Sequence, residues 1–235
     1  MQDFLYDEFD AQVSIATVHN ILIRARWSRK AVKARAAQRS APLRNAWIGI
    51  QKSWTADQLV FLDESASNER TGDRKYGWAP IGSACEVSRP YKRSERWSVL
   101  PALAVDGYLS HLIIQGSITS AIFEAFVEEQ VLPHCSPYPG PRSVLILDNA
   151  SIHKSTRLRE LCEEHGVLLR LLPPYSPDFN PIEATFKDIK AWIKRNHRLM
   201  EDFASFEAFL QFAISQAYGT HAREHFREAG YVVTE

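Results

Sequence analysis

The sequence predicts an α/β fold: a mixed sheet opened by an antiparallel hairpin, then alternating helices and strands, with a short helical arm in front. Three observations predict it. Two short apolar runs, Val60-Phe61-Leu62 and Leu145-Ile146-Leu147, each stop at an aspartate and read as buried strands. Asp106-Gly107 stands between two β-rich runs and is a two-residue hairpin signal. Around the later strands, apolar residues recur at helical spacing. A hairpin followed by strand–helix alternation gives a mixed sheet with helices on both faces.

Each element follows in order. Ser14 can cap a first helix, with Ile15, Val18, Ile21 and Leu22 at helical spacing and Arg24, Arg26, Trp27, Arg29 and Lys30 behind them. A second, mostly polar stretch runs to Trp54. Residues 1–54 hold too few apolar side chains for their own core, so they read as a helical arm and basic linker. Residues 58–62 form the first buried strand, ending at Asp63. A loop then carries Arg70, Thr71, Gly72 and the run Tyr76-Gly77-Trp78-Ala79-Pro80-Ile81-Gly82. Residues 97–105 and 108–114 make the hairpin. Residues 120–132 are a helix, with Ile122, Phe123, Phe126, Val127 and Val131 on one side. Residues 144–147 are a strand ending at Asp148. A helix over 156–165 stops at Gly166, a natural residue just past a helix end. Residues 167–172 are another buried strand. A proline-rich loop leads into a helix over 181–195, and a last helix covers 202–218. The expected division is an arm at 1–54, a sheet domain at 55–200 and a helical extension at 201–235.

Composition narrows the class. Of 235 residues, 45% are hydrophobic and 24% charged, which excludes a disordered chain, a collagen-like chain and a coiled-coil rod. The longest near-apolar run, 99–105, is far short of the roughly 20 residues a spanning helix needs. Residues 1–10 carry four acidic groups and no basic one, which argues against a targeting signal. Cys85, Cys135 and Cys162 form no close pair, so they read as buried free thiols in a reducing compartment. Net charge is zero, yet residues 24–52 carry nine basic residues and no acidic one. Such a block is either a polyanion-binding arm or a solvated linker.

The chemistry rests on carboxylates. In open α/β sheets, sites lie at the carboxyl ends of strands. An Asp after one strand is commonly just a turn or cap residue. Two of them, Asp63 and Asp148, with a third element, say more. That element is Pro173-Pro174-Tyr175-Ser176-Pro177-Asp178-Phe179-Asn180-Pro181-Ile182-Glu183. Its prolines keep the segment stiff. Asn180 suits the N-cap, Pro181 the first helical position and Glu183 the third, so a capping box between Asn180 and Glu183 is the plain alternative to a site. On the helix that follows, Ile182, Phe186, Ile189 and Ile193 share a core face. Glu183, Lys187, Lys190 and Lys194 form a stripe about 100° round from it. That stripe reads either as one ligand beside a polyanion track or as ordinary Glu–Lys pairing on a solvated face. Three converging carboxylates repel one another unless a cation neutralises them, and hard oxygen donors select Mg²⁺ or Mn²⁺. A pair of such ions suits phosphodiester cleavage and transfer.

Leu62-Asp63-Glu64, Leu147-Asp148-Asn149-Ala150-Ser151-Ile152-His153 and the proline box ending at Glu183 resemble the three catalytic boxes of the mariner superfamily of DDE transposases. The 34 residues between Asp148 and Glu183 match its Glu-ending branch, and the Tyr76 to Gly82 run resembles its Trp-x-Pro-x-Gly element. The resemblance spans about residues 57–200. It implies a ribonuclease-H-like fold and cut-and-paste transposition. Asp63, Asp148 and Glu183 would be both the catalytic residues and the ligands of two Mg²⁺ ions, with Mn²⁺ as a substitute. Water would cleave the element end, and the freed 3′-OH would attack target DNA. It also implies double-stranded DNA as partner, TA target sites and a homodimer, in the nucleus of a eukaryote or the cytoplasm of a bacterium. Family members carry two N-terminal helix-turn-helix units. Here only residues 14–29 correspond, as the last helix of the second unit, so the sequence reads as a truncated copy. DNA contacts are expected from Arg24, Arg26, Arg29 and Lys30 on the arm and from Lys187, Lys190 and Lys194 on the helix stripe.

Other residues carry open readings. His153 either orients a carboxylate or satisfies a local hydrogen bond. Trp78 is expected to pack the loop over the first strand. Arg89, Lys92, Arg93 and Arg96 line DNA or a solvated edge. His221-Ala222-Arg223-Glu224-His225 spells a zinc-peptidase signature, expected to be coincidental for want of a third ligand. The competing functional reading is a catalytically silent or domesticated DNA-binding protein derived from a transposase. The presence of all three carboxylates speaks against it.

Overall fold

The computed structural model describes residues 2–28, 39–73, 78–86, 95–216 and 221–234. The chain forms two compact units, Met1–Ala37 and Gln38–Glu235. The first holds α1 (Gln2–Phe9) and α2 (Ile15–Arg24). Ser14 caps α2 as expected, its hydroxyl accepting from Thr17 N–H. The helix is shorter than the expected 14–29. It ends at Arg24, and Arg26 just beyond it takes φ +59°.

The second unit begins with α3 (Ala41–Gln51), in the stretch expected to be polar linker. Ser40 caps it, and Trp47, with Trp54 just after, is buried in the core. The expected boundary near residue 55 therefore lies earlier, between Ala37 and Gln38. Two tryptophans removed from water hold this segment on the sheet.

The sheet holds β1 (Leu59–Leu62), β2 (Ser65–Ser67), β3 (Trp97–Ala104), β4 (Gly107–Gln115), β5 (Val144–Leu147) and β6 (Leu168–Leu171). β4, β3 and β1 pair antiparallel, and β1, β5 and β6 pair parallel. β2 continues the β1 register on β3, since Phe61 faces Leu103 and Ser65 faces Val99. Helices α4 (Ser120–Phe126), α5 (Thr156–Glu164), α6 (Ile182–Arg195), α7 (Phe206–Gln216) and α8 (Ala222–Glu228) complete the unit. α4 runs on through a π-helical turn at Val127–Val131.

Strand alternation sorts the core into two layers. Leu59, Phe61, Val144 and Ile146 face α6, α7, α8 and α3. Val60, Leu62, Leu145 and Leu147 face α4 and α5. The α6 face expected to be core is buried at Ile182, Phe186, Ile189 and Ile193. The residues after 200 are integral to the first layer, through Phe209, Leu210, Ile214, Phe226 and Tyr231. Past α8 the tail pairs back on the stretch that leads into β1, Thr55 bridging to Val232. No helix among the described residues is long and apolar enough to cross a membrane.

Candidate active site

β1 and β5 run parallel with Leu62 facing Leu147. The next residues, Asp63 and Asp148, therefore leave the sheet side by side on strands about 4.8 Å apart. Asp63 also sits at a break. By register it stands opposite Pro101 of β3, and neither Asp63 nor Glu64 belongs to β1 or β2. The Arg96 carbonyl accepts from Gly116 beyond β4, so even-numbered residues of β3 turn their backbone polar groups toward β4. Odd-numbered ones, Pro101 included, turn toward β1. Proline has no N–H to give, so the ladder lapses at the acid pair.

Asp63 is held by both oxygens. Oδ1 accepts from Glu64 N–H at 2.8 Å, and Oδ2 accepts from Asn180 Nδ2 at 2.8 Å. Its carboxyl is pushed up to about 7, first by burial and then by the charges of Asp148 and Glu183. Asp148 Oδ1 accepts from Ala150 N–H at 2.9 Å and from His153 Nδ1 at 2.8 Å. The His153 bond is the main cause that holds Asp148 below the ordinary carboxylate range.

His153 is 0% exposed, its ring centroid 4.5 Å from that of Phe123 with the planes tilted by 40°. Its Nε2 reaches Glu64 Oε1 at 3.4 Å. Burial alone would lower its pKa, but hydrogen bonds and charge from Asp148 and Glu64 carry it up to about 9. Both ring nitrogens then donate at neutral pH, one to each carboxylate. Of the two expected readings, His153 thus does both: it satisfies a local bond and orients a carboxylate. Glu64 and Asn180 were not expected as partners in the site.

Glu183 sits half-buried in the first turn of α6. The Asn180 side chain is turned to Asp63 and, through Oδ1 at 3.4 Å, to Ile182 N–H, in place of a capping box with Glu183. The loop from Pro173 to Pro181 is pinned along its length. Leu172 N–H donates to the Leu147 carbonyl at 2.8 Å, and Asn149 Nδ2 reaches the Leu172 carbonyl at 3.5 Å. Arg39 and Arg44 each grip both oxygens of Asp178. The Arg44 guanidinium lies 4.1 Å over the Phe179 ring, whose carbonyl accepts from Tyr231 Oη at 2.9 Å.

The donor set fits a hard divalent cation in its chemistry: three carboxylates, one of them raised toward neutrality by burial and then by the charges of the other two. Among the described residues, no three His, Cys, Asp or Glu side chains gather as a finished ligand cluster. Asp63 is bonded to Asn180 and Asp148 to His153.

Of the expected DNA contacts, Lys187 and Lys194 are exposed and Lys190 is half-buried, on the α6 stripe that starts at Glu183. Arg24 and Arg26 are exposed at the end of α2, while Arg29 and Lys30 lie outside the described residues. Arg96 is exposed; Arg89, Lys92, Arg93, Tyr76 and Gly77 lie outside the described residues. Trp78 corrects its expectation. It is fully exposed at 101% rather than packed over the first strand. In the zinc-like motif, His225 Nε2 bonds Asp188 at 2.8 Å and His221 Nδ1 bonds Glu224 at 3.1 Å. Cys85 is exposed, not buried, while burial pushes the Cys135 and Cys162 thiols up to about 11 and 12.

Known proteins resemble this chain in fold. The Mos1 mariner paired-end complex with Mg superposes with a TM-score of 0.66 at 17% identity, covering 97% of this chain and 73% of that one. A pre-cleavage Mos1 transpososome gives 0.64 at 17% identity with the same coverage. The isolated catalytic domain of Mos1 mariner transposase gives 0.51 at 14% identity, covering 86% of this chain and 91% of that one. The ribonuclease-H-like α/β fold expected from the sequence is the fold found. No curated protein matches the chain. The sequence profile of the DDE superfamily endonucleases matches residues 58–207, which span the whole sheet, the proline box and α6, and the chain belongs to that family.

Proposed function

We propose that the chain is the catalytic part of a DNA transposase, which hydrolyses a phosphodiester at an element end and then joins the freed 3′-OH to target DNA. The observation that supports this most is the in-register pair Leu62 and Leu147. It sets Asp63 and Asp148 side by side, where Glu183 also acts on Asp63. Asp63, Asp148 and Glu183 would hold two Mg²⁺ ions, or Mn²⁺ in their place; when bound, such ions polarise phosphoryl oxygens and acidify water. The protein's own groups prepare the site. Asn180 and the Glu64 amide fix the two oxygens of Asp63. His153 keeps Asp148 ionised and fixes its Oδ1. The pinned proline box sets where α6, and so Glu183, begins.

Lys187, Lys190 and Lys194 run from Glu183 along α6 and would meet phosphates of double-stranded DNA. Arg24 and Arg26, with Arg29 and Lys30, would supply a second basic contact. The similar Mos1 structures are described as paired-end and strand-transfer complexes. By analogy we propose a homodimer acting at TA sites, in the nucleus of a eukaryotic host or the cytoplasm of a bacterial one.

The first test is thermal stabilisation by Mn²⁺ and Mg²⁺, comparing wild type with Asp148→Asn. A ligand bound only by the folded state raises stability as RT ln(1 + [L]/Kd). A rise lost in the variant, followed by metal-dependent strand transfer of pre-cleaved ends, supports the reading. Equal responses in both proteins would overturn it.

A further inference from the structure

Tyr175 stands in the proline box with φ +54°. That left-handed region is unusual for a bulky side chain. The other non-glycine residues at positive φ among those described are Asp10, Arg26 and Arg142, all polar. Glycine or asparagine would adopt the same backbone with less strain. The Tyr175 side chain is also 57% exposed, so core packing does not hold the ring.

The loop holds it. Its first foot is fixed beside Asp148, through Leu172 on Leu147 and Asn149 on Leu172. Its second foot is fixed on Asp63 through Asn180. Between them Ser176 Oγ bonds the Pro174 carbonyl at 3.2 Å, and Arg39 and Arg44 clamp Asp178. Tyr175 is therefore an exposed aromatic on a rigid crest, with one end bonded to the Asp63 carboxylate and the other to Leu147 and Asn149, the neighbours of Asp148. Backbone strain of this kind persists where the surroundings over-determine it, and it gathers at ligand clamps.

We propose that Tyr175 is a DNA-binding residue that stacks on an unpaired base next to the phosphodiester being cut. Every base offers a π-face, but a base inside a duplex is already covered on both sides. The partner is thus a base at a frayed end or one turned out of the helix. The inference rests on the transposase reading above.

The test uses two DNA probes: a duplex with a frayed end carrying 2-aminopurine, and the same duplex fully paired and closed by a hairpin. With the frayed probe, Tyr175→Ala should weaken binding roughly five- to a hundredfold and abolish the stacking quench of 2-aminopurine. Tyr175→Phe and Tyr175→Trp should keep both, and the closed probe should bind all variants alike. Tyr175→Asn should melt at a higher temperature than wild type, because its backbone suits the left-handed turn, yet bind the frayed probe as poorly as Tyr175→Ala. Wild-type affinity and quench in Tyr175→Ala would overturn the stacking role alone. A lower melting temperature in Tyr175→Asn would overturn the claim that the ring is held in reserve rather than packed. Failure of the wild type to bind either probe would overturn the transposase reading and the stacking with it.

Discussion

Asp63 is the residue at which the fold and the site oppose each other. Its carboxyl titrates near 7 in the folded protein against 3.8 ordinarily. A raised acid keeps its proton in the folded state where the unfolded chain has lost it. Its penalty on stability is therefore absent below about pH 4, grows as pH rises, and is complete above about pH 7. Asp63→Asn should stabilise the metal-free protein at pH 8 by on the order of 4 kcal/mol and leave it unchanged at pH 4. Urea unfolding in a chelator at the two pH values checks this, and an equal difference at both would sink the argument. His153 has the opposite sign. Its pKa is raised to about 9, so its contribution is whole below about pH 6.5 and is lost as pH passes 9. Comparing the Asp63 variant with wild type cancels that term. The two aspartates were legible in the sequence because each follows a short apolar strand. Of their partners, only His153, close to Asp148 in the chain, was offered. Asn180 lies 117 positions from Asp63, and Glu64 lies 89 from His153, so only the folded sheet brings them together.

Regular elements were legible where periodicity ran long enough. The hairpin of β3 and β4, the helix α5 and the amphipathic α6 fall within a residue or two of expectation. The misses are short or polar. β2 has three residues, and α8 hides its buried Ala222 and Phe226 among charges. α3 shows its place only through Trp47 and Gln51, which the sequence offers as isolated residues. Pro101 is a different case. Proline inside a central strand ordinarily argues against the strand. Here the strand forms on both sides of it, and the missing N–H falls at Asp63. Pro101→Val should restore one ladder bond, from the amide of residue 101 to the Asp63 carbonyl. The expected gain is about 1 kcal/mol, with that amide becoming slow to exchange with deuterium. Residue-resolved exchange over 99–104 checks it. A fast-exchanging amide would mean that something other than the proline opens the ladder.

At the scale of the molecule, charge is arranged rather than accumulated. Net charge is zero, yet residues 24–52 are wholly basic in sign, and α6 carries Lys187, Lys190 and Lys194 in a line from Glu183. A neutral protein with such tracks should bind DNA through a few local phosphate contacts, and binding should weaken as salt rises. For duplex DNA, the logarithm of affinity falls with that of salt by about 0.9 per phosphate neutralised. Replacing the three α6 lysines by alanine should leave the melting temperature nearly unchanged, because Lys187 and Lys194 are exposed and Lys190 is only half-buried. It should flatten the salt slope by about one for each lysine that meets a phosphate, and weaken binding equally for unrelated sequences. Arg24→Ala with Arg26→Ala should lower the slope further when combined with the lysine variant, since the two sets lie in separate units of the chain. The measurement is fluorescence anisotropy of a labelled duplex across a salt series. A slope unmoved by the lysine variant would assign the α6 stripe to solvent and leave the arm as the basic surface that meets DNA.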